Sequence, residues 1–385
     1  MFEKGRHVRD LVEIGMGRTA RRAYDLDDIE IVPSRRTRSS KVVSTSWKID
    51  AYQFDLPLVT HPTDAIVSPG TAVAVGELGG LGVLNAEGLW ARQPDVEEAM
   101  FRIVRAAEEG DGDPTALSRV LQELHAAPIR LDLISEAIRT VREAGVTVAA
   151  RVSPQHAAEL TPDLLAAGVE ILVVQGTIVS AEHVVRDGDP LNLKQFIADL
   201  DVPVIAGGVG DYRTAMHLMR TGAAGVIVGH GATPGVTSTD RVLGIGVPMA
   251  TAIIDAAAAR RDYLDETGGR YVHVLADGGI NVSGDIAKAI ACGADAVMLG
   301  APLAAASEAP GQGLYWTAAA AHPSLPRSRV AAGPDYAVDL KTLLFGPSSD
   351  AEGVVNLFGA LRRALAKTGY SDLKEFQKVG LTIRN

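Results

Sequence analysis

Residues 272–300 read VHVLADGGINVSGDIAKAIACGADAVMLG, and this stretch decides the fold. A short apolar run ends in Asp277-Gly278-Gly279. A helix-forming segment from Gly284 to Cys292 follows behind Ser283 as its cap, with Gly293 marking its end, and a second apolar run closes at Gly300. Strand, helix and next strand are the repeating unit of a parallel α/β protein. DG and GG are turn formers, so a tight strand-to-helix turn accounts for Gly278 and Gly279 taken alone. With Gly300-Ala301-Pro302 after the second strand, the two turns instead form a pair, and turns after strands seven and eight are where barrel enzymes cradle phosphate. Asp277 then stands as an acceptor for ribose hydroxyls.

Working outward, eight runs rich in Val, Ile, Leu, Ala and Gly read as buried parallel strands: 56–61, 80–85, 146–152, 171–175, 202–207, 225–229, 272–276 and 296–300. Eight is the strand number of a (β/α)8 TIM barrel. The segments REAGVTVAA, LAAGVEILVV, RTGAAGVIV and ACGADAVML each place a glycine between a helix end and a strand, a weak internal repeat of that unit. Helix stripes fit as well, with Leu133, Ile134, Ala137, Ile138 and Val141 in one, and Ala215, Leu218 and Met219 behind an Asp211 cap in another. The predicted chain is a single α/β domain. Residues 1–50 form an N-terminal extension with the basic run Arg35, Arg36, Arg38 and Lys41; 51–306 form the barrel; 307–350 form a lid or flexible segment; and 351–385 complete the domain with a helix and tail. The long interval between strands two and three, with its polar stretch at 108–118, reads as extra helices.

Composition narrows the partners. Lys plus Arg number 37 against 47 for Asp plus Glu, a net charge of −10, which favours neither nucleic acid nor an anionic membrane. No apolar run is long enough to span a bilayer, and residues 1–25 lack the apolar centre of a signal peptide, so a cytoplasmic protein with a small-molecule partner is expected. The single cysteine, Cys292, excludes an internal disulfide and any multi-cysteine metal site. It ends a helix that leads into strand eight, which puts it on the face opposite the strand ends, as a core residue. No helix presents paired histidines for a metal, and no lysine ends a strand to form a Schiff base. His61 and His230 follow strands one and six at the expected mouth and are candidates for general acid or base. Residues 225–253, GVIVGHGATPGVTSTDRVLGIGVPMATAI, form a glycine-rich loop that lacks the GxGxxG spacing of a dinucleotide fingerprint.

Taken together, Tyr24-Asp25-Leu26-Asp27-Asp28-Ile29 with Val32-Pro33, LPLVTHPTDAIV at 56–67, GELGGLGVLN at 76–85, the strand-six loop, ADGGINVSGDIAKAIACGADAVMLG at 276–300 and FGALRRALAKTGY at 358–370 resemble the IMP dehydrogenase and GMP reductase family. The likeness is greatest to its bacterial IMP dehydrogenase-related members that lack the inserted CBS pair, and it covers nearly all of the chain from Tyr24. The resemblance implies a barrel, usually a homotetramer, that binds a purine nucleoside monophosphate (IMP, GMP or XMP) at the strand C-termini with NAD or NADP beside it. In that family a cysteine of the strand-six loop attacks purine C2, and the adduct loses hydride or ammonia. The matching aspartate, Asp277, clamps the ribose diol, while Gly278, Gly279, Gly300 and Ala301 fall on the phosphate cradle.

Departures from the family pattern are concentrated at the chemistry. Counting back from Gly244 to Pro248, the nucleophile position is Thr237, with Thr239 close by as a possible assistant, and the loop before it is one residue longer. An aliphatic hydroxyl needs a strong adjacent base where a thiol does not. The strand-four aspartate that meets the nicotinamide is Gln175, the asparagine after strand five is Gly208, and the phosphate-binding serines are Gly235 and Ala301. The Arg-Tyr pair of the dehydrogenase flap has no counterpart between Ser307 and Gly346. Three functions follow as expectations. The first is a purine-nucleotide-binding protein with altered or lost redox catalysis, acting by itself or with an active paralogue. The second is an active NAD(P)-dependent oxidoreductase with a non-cysteine mechanism, and the third is an FMN-binding barrel.

Overall fold

Eight parallel strands carry the fold: β1 (Leu58–Thr60), β2 (Val83–Asn85), β3 (Ala149–Val152), β4 (Ile171–Gln175), β5 (Val204–Val209), β6 (Gly225–Ala232), β7 (His273–Gly278) and β8 (Ala296–Leu299). The computed structural model describes residues 11–109, 114–181, 190–232, 239–322, 329–332 and 337–384. Each strand pairs with its sequence neighbour from β2 round to β8, and β8 pairs with β1. The circle closes between β1 and β2 through the Val59 and Leu81 bridge, with Thr60 N–H on the Leu81 carbonyl (3.0 Å) and Leu81 N–H on that of Leu58 (2.8 Å). All eight sequence runs are therefore strands of one (β/α)8 barrel, with bounds shifted by a few residues. Both faces of each strand are covered, which is why they read as nearly continuous apolar runs.

The outer helices are α1 (Pro69–Glu77), α2 (Leu131–Glu143), α3 (Ala157–Ala167), α4 (Leu193–Ala198), α5 (Tyr212–Arg220), α6 (Met249–Thr267), α7 (Ser283–Cys292) and α8 (Leu357–Thr368). The interval after β2 holds two further helices, Val96–Glu109 and Pro114–His125. Asp211 caps α5 by accepting from Thr214 N–H at 2.8 Å, as expected. The repeated glycines end helices in the left-handed region, for example Gly168 at φ 114 and Gly293 at φ 118, where a Cβ would be strained. At Gly293 that Cβ would also lie 2.7 Å from Ala257 Cβ.

Ser283 departs from expectation. It is the first residue of α7 rather than its cap, and its N–H donates to the Gly353 carbonyl at 2.8 Å. Capping falls to Asp285, whose carboxylate accepts from Asn281 N–H (2.9 Å) and Val282 N–H (3.1 Å). A carboxylate in the first turn is also favoured by the helix dipole, so it replaces the weaker hydroxyl.

The N-terminal end of the barrel is plugged. Strands Trp47–Ile49 and Tyr52–Phe54 form a hairpin whose Trp47 stacks on Phe54, donates Nε1–H to the Leu56 carbonyl (2.7 Å) and meets the edge of His273. Ile49 is fully buried beside Gly225, the first residue of β6, where an added Cβ would sit 3.2 Å from Ile49 Cδ1. This leaves the C-terminal mouth as the open end. In the basic run, Arg38 donates Nε–H to the Gly369 carbonyl at 2.6 Å, joining the N-terminal segment to the turn after α8.

Part of segment 307–350 packs over that mouth. Tyr315 and Trp316 are buried, Thr63 Oγ1 donates to the Trp316 carbonyl, and Gly311 N–H donates to Ala65 O at 2.8 Å. Among the described residues no helix is long and apolar enough to cross a membrane.

Candidate functional site

Strand C-termini and the packed segment after β8 enclose a cavity of about 680 Å³, large enough for a nucleotide. His61 enters after β1, Asn85 and Glu87 at and after β2, Arg151, Ser153 and His156 at and after β3, Gln175 at the end of β4, and His230 on β6. Residues 317–319 and 321–322 form the roof.

One wall is an ion-paired cluster. Glu87 accepts from Ser153 N–H and lies 2.9 Å from His156 Nδ1 and 3.7 Å from Arg151 Nη1. Burial pushes the Glu87 carboxyl up, but Arg151 and the Ser153 and His156 hydrogen bonds outweigh it and hold the group below the usual carboxylate range. Burial lowers Arg151, opposed by Glu87 and Asp64, and its guanidinium donates to the Gln175 main-chain carbonyl at 2.8 Å. Arg92 serves the backbone, with Nε–H on Glu87 O (2.8 Å) and Nη1–H on the carbonyls of His125 (3.0 Å) and Ala127.

Behind the lining residues His61 and Gln175 lies Asp277, which is 3% exposed. Its Oδ2 accepts from Gln175 Nε2 at 2.8 Å, and its Oδ1 lies 3.2 Å from His61 Nδ1. A carboxylate retains lone pairs beyond those two bonds, while the Asp277 side chain as a whole is only 4% exposed. Gly278 and Gly279 follow at φ 115 and 66. The backbone N–H groups of Gly279, Gly300 and Ala301 make no hydrogen bond within the described residues, and these three residues are half-buried. Over Gly300 lies the Tyr315 phenol: a Cβ added at Gly300 would be 2.1 Å from Tyr315 Oη.

Gly235 and Thr237 lie outside the described residues. Thr239 begins the short helix Thr239–Leu243 and is buried, and Leu243 of that helix lines the cavity. Cys292 ends α7, buried, with desolvation pushing its thiol up to about 12. Native protein is therefore expected to resist thiol alkylation at neutral pH, with stoichiometric labelling only after unfolding; labelling of the native chain at the rate of a free thiol would refute this placement.

Gln175 and Gly208 are the positions at which the family pattern predicts nicotinamide contacts. Gln175 is 7% exposed with its amide nitrogen held by Asp277. Gln175 lines the cavity, and its amide oxygen makes no hydrogen bond among the described residues. Gly208 has no side chain to offer, and an added Cβ would lie 2.0 Å from the Gly229 carbonyl oxygen and 3.1 Å from His230 Nδ1. His230 occupies that corner instead; burial lowers its pKa, and its buried Nδ1 has no partner among the described residues.

Sequence reasoning missed Glu87, Arg151 and His156. The available signal was position, since each stands at or just beyond the C-terminal end of β2 or β3, where barrel enzymes place functional groups.

A family model described as IMP dehydrogenase / GMP reductase domain matches residues 23–322. A protein of Mycolicibacterium smegmatis named as an uncharacterized oxidoreductase is 65% identical over 97% of this chain and 100% of its own length. An inosine-5'-monophosphate dehydrogenase of Aquifex aeolicus is 34% identical over 57% of this chain and 46% of its own. The crystal structure of an IMP dehydrogenase/GMP reductase-like protein from Corynebacterium glutamicum superposes with a TM-score of 0.92 at 58% identity, covering 98% of both chains. The chain described here belongs to the IMP dehydrogenase / GMP reductase family.

Proposed function

We propose that this barrel binds a purine nucleoside monophosphate at its C-terminal mouth, and that any chemistry it performs there proceeds without the thiol adduct of its family. The observation that carries the reading is the pair of turns after β7 and β8, whose N–H groups at Gly279, Gly300 and Ala301 have no hydrogen bond within the described residues. Open backbone donors at these two turns suit a phosphate. The sugar and base would extend past Asp277 and His61 into the cavity. Thr237 at the nucleophile position and a Cys292 buried in α7 leave the mouth without a thiol.

Calorimetry with IMP, GMP or XMP at millimolar concentration tests binding. A ligand at one hundred times its Kd stabilises by about 2.7 kcal/mol, so the matching nucleotide is expected to raise Tm by a few degrees. Unchanged melting with all three sinks the reading. The site is tested separately by Thr237→Cys, whose new thiol is expected to react with iodoacetamide and to be protected by the bound nucleotide. A thiol that reacts equally fast with and without nucleotide would show that the loop register is wrong.

A further inference from the structure

We infer that His61 is the general acid–base of the cavity, with Asp277 and Gln175 as the residues that position it. This goes beyond nucleotide binding, because it assigns proton transfer to a residue that the resemblance does not single out and gives Asp277 a second role. It rests on the proposed function only for the identity of the ligand.

Geometry supplies the argument. Asp277 accepts from an amide N–H at Oδ2 and faces an imidazole nitrogen at Oδ1, at 2.8 and 3.2 Å. A carboxylate has no hydrogen to donate, so in this inference the hydrogen shared by the pair is assigned to His61 Nδ1, with Oδ1 accepting. The lone pair of the neutral ring is then on Nε2. His61 lines the cavity while its side chain is only 12% exposed. Its backbone is fixed on both sides, with N–H on Leu299 O (2.7 Å) and carbonyl accepting from Thr63 N–H (2.8 Å). Gly231 borders the ring: a Cβ there would lie 3.0 Å from His61 Cε1.

Three other cavity histidines are arranged differently. His125 has both nitrogens engaged, by the Leu121 carbonyl and by Asp64. His156 sits on Glu87 but is 42% exposed, so solvent screens the pair. His230 keeps its Nδ1 buried.

No hydroxyl or thiol of the described residues bonds to His61 Nε2, so the proton it takes belongs to the ligand or to a water that enters with it. In that step an O–H or N–H bond of the ligand or water breaks, its electron pair stays on the ligand or water, and Nε2 becomes N–H. The resulting imidazolium faces the Asp277 carboxylate, and Nε2–H returns the proton to the oxygen or nitrogen that kept the electron pair, or to another ligand atom to which that pair has passed, which restores the neutral ring. No oxidant or reductant is required by this transfer.

Long-range 1H–15N NMR on protein labelled at histidine is expected to show neutral His61 with its proton on Nδ1. Diethyl pyrocarbonate, which acylates an accessible unprotonated nitrogen, is expected to modify His61, located by peptide mass spectrometry. In Asp277→Asn, an Asn amide that accepts from Gln175 through its oxygen turns its NH2 toward Nδ1. The ring proton moves to Nε2, and modification slows at least tenfold. A native His61 protonated on Nε2, or inert to the reagent, overturns the inference without any variant being needed. Protection of His61 by IMP supports both readings. The expected tautomer and reactivity with no protection by IMP, GMP or XMP leaves the proton-transfer site standing and removes the nucleotide.

Discussion

Replacing Asp295 by alanine is expected to lower the unfolding free energy by about 3–5 kcal/mol, the cost of removing one partner from a buried ion pair. Asp295 precedes β8 at the end of the barrel opposite the cavity and is 2% exposed. Its carboxylate meets Arg260 Nη1 at 2.7 Å, Tyr271 Oη at 2.8 Å, Val274 N–H at 2.9 Å and the Lys374 ammonium. Arg260 is itself buried, so alanine strands a cation that water cannot reach. Burial alone would push the carboxyl up, yet Arg260 and Lys374 hold it down to about 2. Against an ordinary value of about 3.9, a depressed folded pKa gives stability that is present above the unfolded value and lost as pH falls through the folded one. The gap between native protein and variant should therefore narrow by about 1 kcal/mol between pH 6 and pH 3. Urea midpoints at the two pH values measure both effects, and a loss below about 1 kcal/mol at pH 6 would refute the assignment. Arg220 and Glu266 provide the contrast: the same 2.7 Å separation, with both side chains about half exposed, should leave the midpoint unmoved when Arg220 is truncated.

That network and the cavity walls explain why the frame was legible in the sequence and much of the site was not. Strand runs such as 171–175 and helix stripes such as Ile134, Ala137, Ile138 and Val141 are local patterns, written within one element and repeated around the barrel. Helix ends marked by Gly168 and Gly293 are equally local. Pairings at the mouth are not. His61 reaches Asp277 across 216 positions and Glu87 reaches His156 across 69. Strand pairing and packing across the barrel bring such residues together, so in the sequence each reads as a lone polar residue near a strand end. Asp277 was identified as an acceptor from its position, but its partners Gln175 and His61 come from the ends of β4 and β1. Ser283 failed for the opposite reason, since a stronger local acceptor stood two residues on, at Asp285.

Restoring the family's asparagine at position 208 is expected to cost about 3 kcal/mol of stability and to create no nicotinamide site. The first atom of any new side chain would lie 2.0 Å from the Gly229 carbonyl oxygen, well inside contact distance, before the amide is even added. This obstacle is main chain belonging to β6, next to the β5 and β6 pairing, so it cannot rotate away as a side chain would. His230 Nδ1 at 3.1 Å is the second obstacle, and it is a side chain. The two contributions separate in a double variant. If backbone overlap dominates, Gly208→Asn with His230→Ala recovers little of the loss; substantial recovery would mean that His230 alone excludes the asparagine. Gly284 serves as control, because nothing stands within 4 Å of its added Cβ and it lies within α7, where alanine should stabilise by up to about 1 kcal/mol. Urea midpoints of the four proteins, with NADH fluorescence titrated into each, decide the matter. Enhanced NADH binding by Gly208→Asn at unchanged stability would show that β5 and β6 can part, and that the corner held by His230 is open to the cofactor of the family.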